Sequence, residues 1–109
     1  MAEFSDFEKL DIRVGRVDRV KDFPEARNPA YRLWIDFGEE LGTMKSSAQI
    51  TELYNKKDLE DRQVIAVVNF SPLNIAGFES EVLVLGVYSG EGVVLLQPEQ
   101  EVEVGGKIG

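Results

Sequence analysis

The chain has 109 residues, 20 acidic against 12 basic side chains, a formal net charge of -8, and neither cysteine nor histidine. That length holds one compact domain, read as residues 1–109, and its charge repels polyanions at long range unless basic groups gather on one face. The missing residue types exclude disulfides, thiolate nucleophiles, Cys/His zinc sites and every imidazole-dependent triad, so no catalytic residue, metal or cofactor is expected.

Ser5-Asp-Phe-Glu8 has the spacing of a capping box, which predicts a short helix through about Leu10. Leu10 to Val20 then alternates as a strand, with Leu10, Ile12 and Val14 on one face and Val17 on the other, a phase change that predicts a bulge at Gly15-Arg16. Phe23 to Pro29 carries two prolines and reads as a loop, after which Tyr31 to Phe37 alternates again. Thr43 to Ser46 reads as a third short strand. Ser46-Ser-Ala-Gln49 has S-x-x-Q spacing, and Ile50, Leu53 and Tyr54 follow at helical intervals, so a helix is expected to start there and to extend or restart near Leu59. Gln63–Val68 and Glu81–Tyr88 are apolar strand runs, Val93–Leu96 follows a Ser89-Gly-Glu-Gly92 turn, and Val102–Val104 reads as an edge strand. Three strands, a helix and further strands in so short a chain predict an all-β fold. It is a five-stranded Greek-key OB-fold barrel with a helix between strands 3 and 4 and short terminal extensions.

Seven basic residues lie between Lys9 and Arg32, and none lies between Arg62 and Lys107, so any basic patch is built from the first part of the chain. Arg13 and Arg19 share strand parity, and Arg16 joins them through the bulge. With Lys45 they are the candidate phosphate contacts, set against a plain reading as a solvated face paired with Asp18, Asp22 or Glu25. Ser46 and Ser47 suit either a ligand carbonyl or phosphate or a helix cap. Asn69 suits either a ligand contact or an Asx-type bond within its own loop before Pro72. Phe70, Leu73, Ile75 and Phe78 form an apolar cluster in an irregular loop, which marks a partner site, a barrel cap or a dimer interface. Trp34 lies on the parity of Arg32 and Asp36 rather than that of Leu33, Ile35 and Phe37, so it faces a ligand or an interface. No stretch combines a charged leader with an apolar segment, and none is apolar enough for membrane insertion. A cytoplasmic protein is expected.

Seven stretches carry one resemblance: Asp6 to Gly15, Phe23-Pro-Glu-Ala-Arg27, Leu33-Trp-Ile-Asp-Phe-Gly38, Lys45-Ser-Ser-Ala-Gln-Ile-Thr51, Val67-Val-Asn-Phe70, Ile75-Ala-Gly-Phe78 and Ser80-Glu-Val-Leu-Val-Leu-Gly86. Together they resemble the CsaA-type export-related chaperones, a free-standing branch of the tRNA-binding-domain superfamily that includes the C-terminal domain of methionyl-tRNA synthetase. The resemblance implies a non-catalytic OB-fold homodimer whose extensions build the interface. It also implies a chaperone that holds apolar segments of unfolded or secretory precursor polypeptides, with tRNA, gripped by more distant relatives, as the alternative partner. The matching positions are Ser46, Ser47, Asn69, Ile75, Gly77 and Ser80. Where the superfamily usually carries basic residues this chain has Leu73 and Asn74, which ranks polypeptide ahead of RNA.

Overall fold

A computed structural model describes all residues, 1–109. The elements in chain order are α1 (Phe4–Glu8), β1 (Ile12–Asp22), β2 (Tyr31–Asp36), β3 (Thr43–Ala48), α2 (Lys56–Leu59), β4 (Gln63–Val67), β5 (Leu73–Ile75), β6 (Phe78–Ser80), β7 (Leu83–Val84), β8 (Gly86–Ser89) and β9 (Gly92–Leu95). Five of the strands form an antiparallel sheet in the order β3-β2-β1-β4-β7, and β5–β6 and β8–β9 are separate hairpins. This is the all-β OB-type barrel, with its helix between β3 and β4, that the alternation and the element count predict.

Alternation along β2 builds the core. Leu33 and Ile35 are completely buried, and Tyr31 and Phe37 continue their face, packing with Val17, Ala48, Ile50, Leu59, Val64, Ala66 and Val82. Full burial of a side chain such as Leu33 is worth about 1.5–3 kcal/mol. Ile12, Val14 and Val67 are buried too but lie outside this cluster, so both faces of β1 are covered. That is the meaning of its phase change, and the expected bulge at Gly15-Arg16 needs correction. The register slips between Val17 and Arg19, leaving Asp18 as the extra residue, and Val20 returns to face Leu33 across the pair. Gly15 has a different reason to be glycine: a Cβ there would sit 2.5 Å from Ile35 and 2.7 Å from Phe37.

Three other expectations are corrected. The first helix is capped two residues earlier than Ser5, at Glu3, whose N–H donates to the Asp6 carboxylate at 2.9 Å. No helix starts at Ser46; Ser46, Ser47 and Ala48 continue β3, paired with Leu33, Arg32 and Tyr31. Long-range pairing with an already buried strand outweighs a local capping signal. The helix begins at Asn55, whose Oδ1 accepts from the Asp58 N–H at 3.0 Å while the Asp58 carboxylate accepts from the Asn55 N–H at 2.9 Å. Ile50 and Tyr54 still pack toward the core, from a turn rather than from a helix. Finally, Val102–Val104 forms no strand. The Gln63 side chain holds Val102 through two hydrogen bonds, and the pairing falls on the following residues. The Val14 N–H donates to the Gly106 carbonyl at 2.9 Å, the Gly105 N–H to the Val14 carbonyl at 2.8 Å, and the Ile108 N–H to the Ile12 carbonyl at 2.9 Å. Since β2 pairs with β1 only from Arg16 onward, the tail occupies the edge that β2 leaves bare.

Candidate functional site

The barrel closes poorly between β3 and β7. In β3 the residues hydrogen-bonded to β2 alternate with Thr43, Lys45 and Ser47, whose main-chain groups point outward to the seam. Lys45 is met there by backbone, its carbonyl accepting from the Glu81 and Val82 N–H groups at 2.8 and 3.2 Å. The remaining donors are met by side chains: the Lys45 N–H by the Glu81 carboxylate and the Ser47 N–H by Ser80 Oγ, each at 2.9 Å. Beyond Ser47 the two walls part, and a groove of about 970 Å³ opens between Ser47, Ala48 and Ile50 on one side and Val84, Tyr88 and Val93 on the other. Ser46 does not reach it; its side chain is turned into the core, 1% exposed, and its Oγ has no partner.

The loop read as an apolar cluster is a hairpin. Ala76 and Gly77 both take positive φ, 47° and 85°, in the tight turn joining β5 to β6, and the Gly77 N–H donates to Asn74 Oδ1 at 3.0 Å. The four apolar residues separate. Phe78 lies edge-on to Phe23 and to Trp34, with ring centroids at 5.5 and 5.6 Å, and Ile75 is half-buried. Leu73 and Phe70 remain exposed. Trp34 therefore faces out of the barrel, as its parity predicts, onto the hairpin of its own chain.

The basic residues also divide. Arg13 is paired with Asp11 at 2.6 Å and Glu40 at 2.9 Å and donates to the Gly105 carbonyl, so its ionisation is held further above its usual range, chiefly by Asp11 and then Glu40. Arg16 pairs with Glu101 at 3.0 Å and donates to the Asp61 carbonyl. Both are thus joined to carboxylates, though to others than Asp18, Asp22 and Glu25. Arg19 lies over Trp34 at 5.1 Å from the ring centroid, Lys45 over Phe78 at 5.3 Å, and Arg32 over Phe23 at 5.3 Å. None of these three is ion-paired. They form a cation–aromatic face on the outside of β1, β2 and β3. Arg32 and Phe23 were not among the residues singled out from sequence, although the shared parity of Arg32 and Trp34 is a signal for the first. Asn69 does not make the Asx-type bond within its own loop. Its Oδ1 accepts from the Asp11 N–H and its Nδ2 donates to the Lys9 carbonyl, both at 2.9 Å, tying the end of β4 to the N-terminal segment. No group of three or more carboxylates is placed to hold a metal ion.

Residues 12–107 match a family described as "Putative tRNA binding domain". The chain is 39% identical over 106 residues to the methionine–tRNA ligase of Pyrococcus horikoshii, which covers 97% of this chain but 14% of the ligase. Among solved structures it is similar to the CsaA chaperone protein from Picrophilus torridus, 53% identical with a TM-score of 0.96, covering 100% of both chains. It is also similar to the chaperone CsaA from Bacillus anthracis str. Ames, 57% identical with a TM-score of 0.93, covering 100% of this chain and 99% of that one.

Proposed function

Since this chain belongs to the tRNA-binding-domain family, we propose that it is a single-domain, non-catalytic binding protein of the CsaA type that holds apolar segments of unfolded polypeptides. The observation that carries this reading is the groove at the β3–β7 seam, walled by Ala48, Ile50, Val84, Tyr88 and Val93, with the tyrosine 93% exposed. Its clients are unfolded or precursor chains met in the cytoplasm. The protein acts as a homodimer. Leu83, Val87, Val94 and Leu96 share the outward face of the strands around β8–β9, all four exposed, and supply a contiguous apolar strip for a second copy. The strip meets the groove at Leu83, whereas Val87, Val94 and Leu96 lie outside it. The test is suppression of aggregation of a polypeptide diluted from urea. Tyr88→Ser, at an exposed position, is expected to weaken it severalfold while the dimer mass persists in light scattering; full suppression by that variant sinks the reading.

A second reading, RNA binding, is favoured by a different observation. In a chain of net charge -8, Arg19, Arg32 and Lys45 are cations without carboxylate partners beside three aromatic rings. Such a face suits phosphates and stacked bases. Fluorescence anisotropy of labelled tRNA at two salt concentrations tests it, and binding that ignores salt or is absent at low salt removes it.

A further inference from the structure

The residues from Leu83 to Ser89 are one extended run that changes partner at Leu85. On its first half the Leu85 N–H donates to the Ile65 carbonyl at 2.8 Å, and on its second half the Leu85 carbonyl accepts from the Leu96 N–H at 3.2 Å. Both partners therefore lie along the same edge. In antiparallel pairing the bonded residues alternate, so Leu83, Leu85, Val87 and Ser89 use that edge, and the N–H and C=O groups of Val84, Gly86 and Tyr88 point to the opposite one. No strand occupies it: β7 ends its sheet and β8 pairs only with β9. Across the groove stands the outer edge of β3, where the Ser47 N–H is satisfied by Ser80 Oγ and its carbonyl faces the seam. An edge of three alternating unpaired residues thus faces the one free carbonyl that β3 leaves at Ser47.

We propose that this slot takes an extended polypeptide as an added β-strand, bonded through its backbone to Val84, Gly86 and Tyr88 on one side and toward Ser47 on the other. The inference rests on the polypeptide reading above and gives its mode of recognition. A slot with an unpaired edge on one side and the free Ser47 carbonyl on the other suits a strand with both edges free, which an unfolded segment has. A second copy of this chain does not meet that requirement, because its own run from Leu83 to Ser89 already spends one edge on β4 and β9. Main-chain bonding also makes recognition tolerant of side-chain sequence, since every residue offers the same donor and acceptor. Apolar side chains at alternate positions then fall against Ile50 and Val93.

The experiment uses the wild-type protein, so folding of a variant is not in question. The probes are a short peptide of alternating valine and serine and the same peptide N-methylated at every second residue. The parent peptide is expected to slow hydrogen exchange at the Val84, Gly86 and Tyr88 amides without affecting Val87, which is already paired with β9. N-methylation is expected to weaken binding about tenfold or more by removing two or more hydrogen bonds. Equal binding of both peptides, or binding without edge protection, overturns the inference while leaving the polypeptide reading in place. If the peptide does not bind but unfolded clients are still held, the slot fails alone; if neither is held, both fail. Protection of the same three amides that grows with protein concentration in the absence of peptide assigns the edge to a second copy and overturns the inference as well.

Discussion

Ser80 Oγ accepts a hydrogen bond from the Ser47 N–H at 2.9 Å, standing where a backbone bond between β3 and β7 would stand in a fully closed barrel. Both serines mark the resemblance to the CsaA branch, and the structure joins them to each other. Ser80→Ala is expected to leave a half-buried N–H without a partner and cost about 1–2 kcal/mol. Ser80→Thr, which keeps the acceptor, is expected to recover most of it. Urea denaturation of the pair measures the difference, and equal midpoints for all three proteins contradict the assignment.

Asn69 bonds to both Lys9 and Asp11. Asn69→Ala is therefore expected to destabilise the fold by about 1–3 kcal/mol and to speed amide exchange at Asp11. Binding of polypeptide or RNA should remain at the wild-type level. A loss of binding at unchanged stability would return this residue to the ligand.

Gly15 is a packing position. A methyl group at this site meets Ile35 and Phe37, both buried, so Gly15→Ala is expected to cost about 1–3 kcal/mol through overpacking. Thermal unfolding is the measurement, and a neutral substitution would mean that the sheet gives way locally.

The division among the basic residues makes a paired prediction. Arg13→Met breaks its bonds with Asp11, Glu40 and Gly105 and is expected to lower stability by about 2 kcal/mol without changing RNA affinity. Arg19→Glu and Lys45→Glu are expected to leave stability nearly unchanged, to weaken RNA binding, and to reduce its salt slope by about one for each cation removed from a phosphate. The reverse pattern would place the phosphate site on Arg13.

Lys56 donates to Asp22 at 2.8 Å, and that hydrogen bond raises its ionisation above the usual lysine value of 10.5. A raised folded-state value contributes stability that is fully present below the unfolded value and is lost as pH rises through the folded one. The small difference between wild type and Lys56→Met is expected to stay level from neutral pH upward and to close above pH 10.5. A gap that widens with alkali contradicts the pairing.

Alternation in β2, the unbroken apolar run of β4 and the parity of Trp34 were legible in the chain because burial imposes each pattern locally. The barrel follows from the order of such runs. The capping signal at Ser46 misled for the complementary reason: whether a short polar run caps a helix or continues a strand depends on the strand lying beside it, here Leu33 and Tyr31. Which arginines are free is equally non-local, since Arg13 meets Glu40 and Gly105, 27 and 92 positions away. The open edge along Val84, Gly86 and Tyr88 was hidden within an unbroken apolar run, because such a run shows that a strand forms but not which edge its neighbours use. Side-chain period and turn chemistry belong to the sequence; register and partner belong to the tertiary structure, because hydrogen-bond alternation takes its phase from a strand elsewhere in the chain.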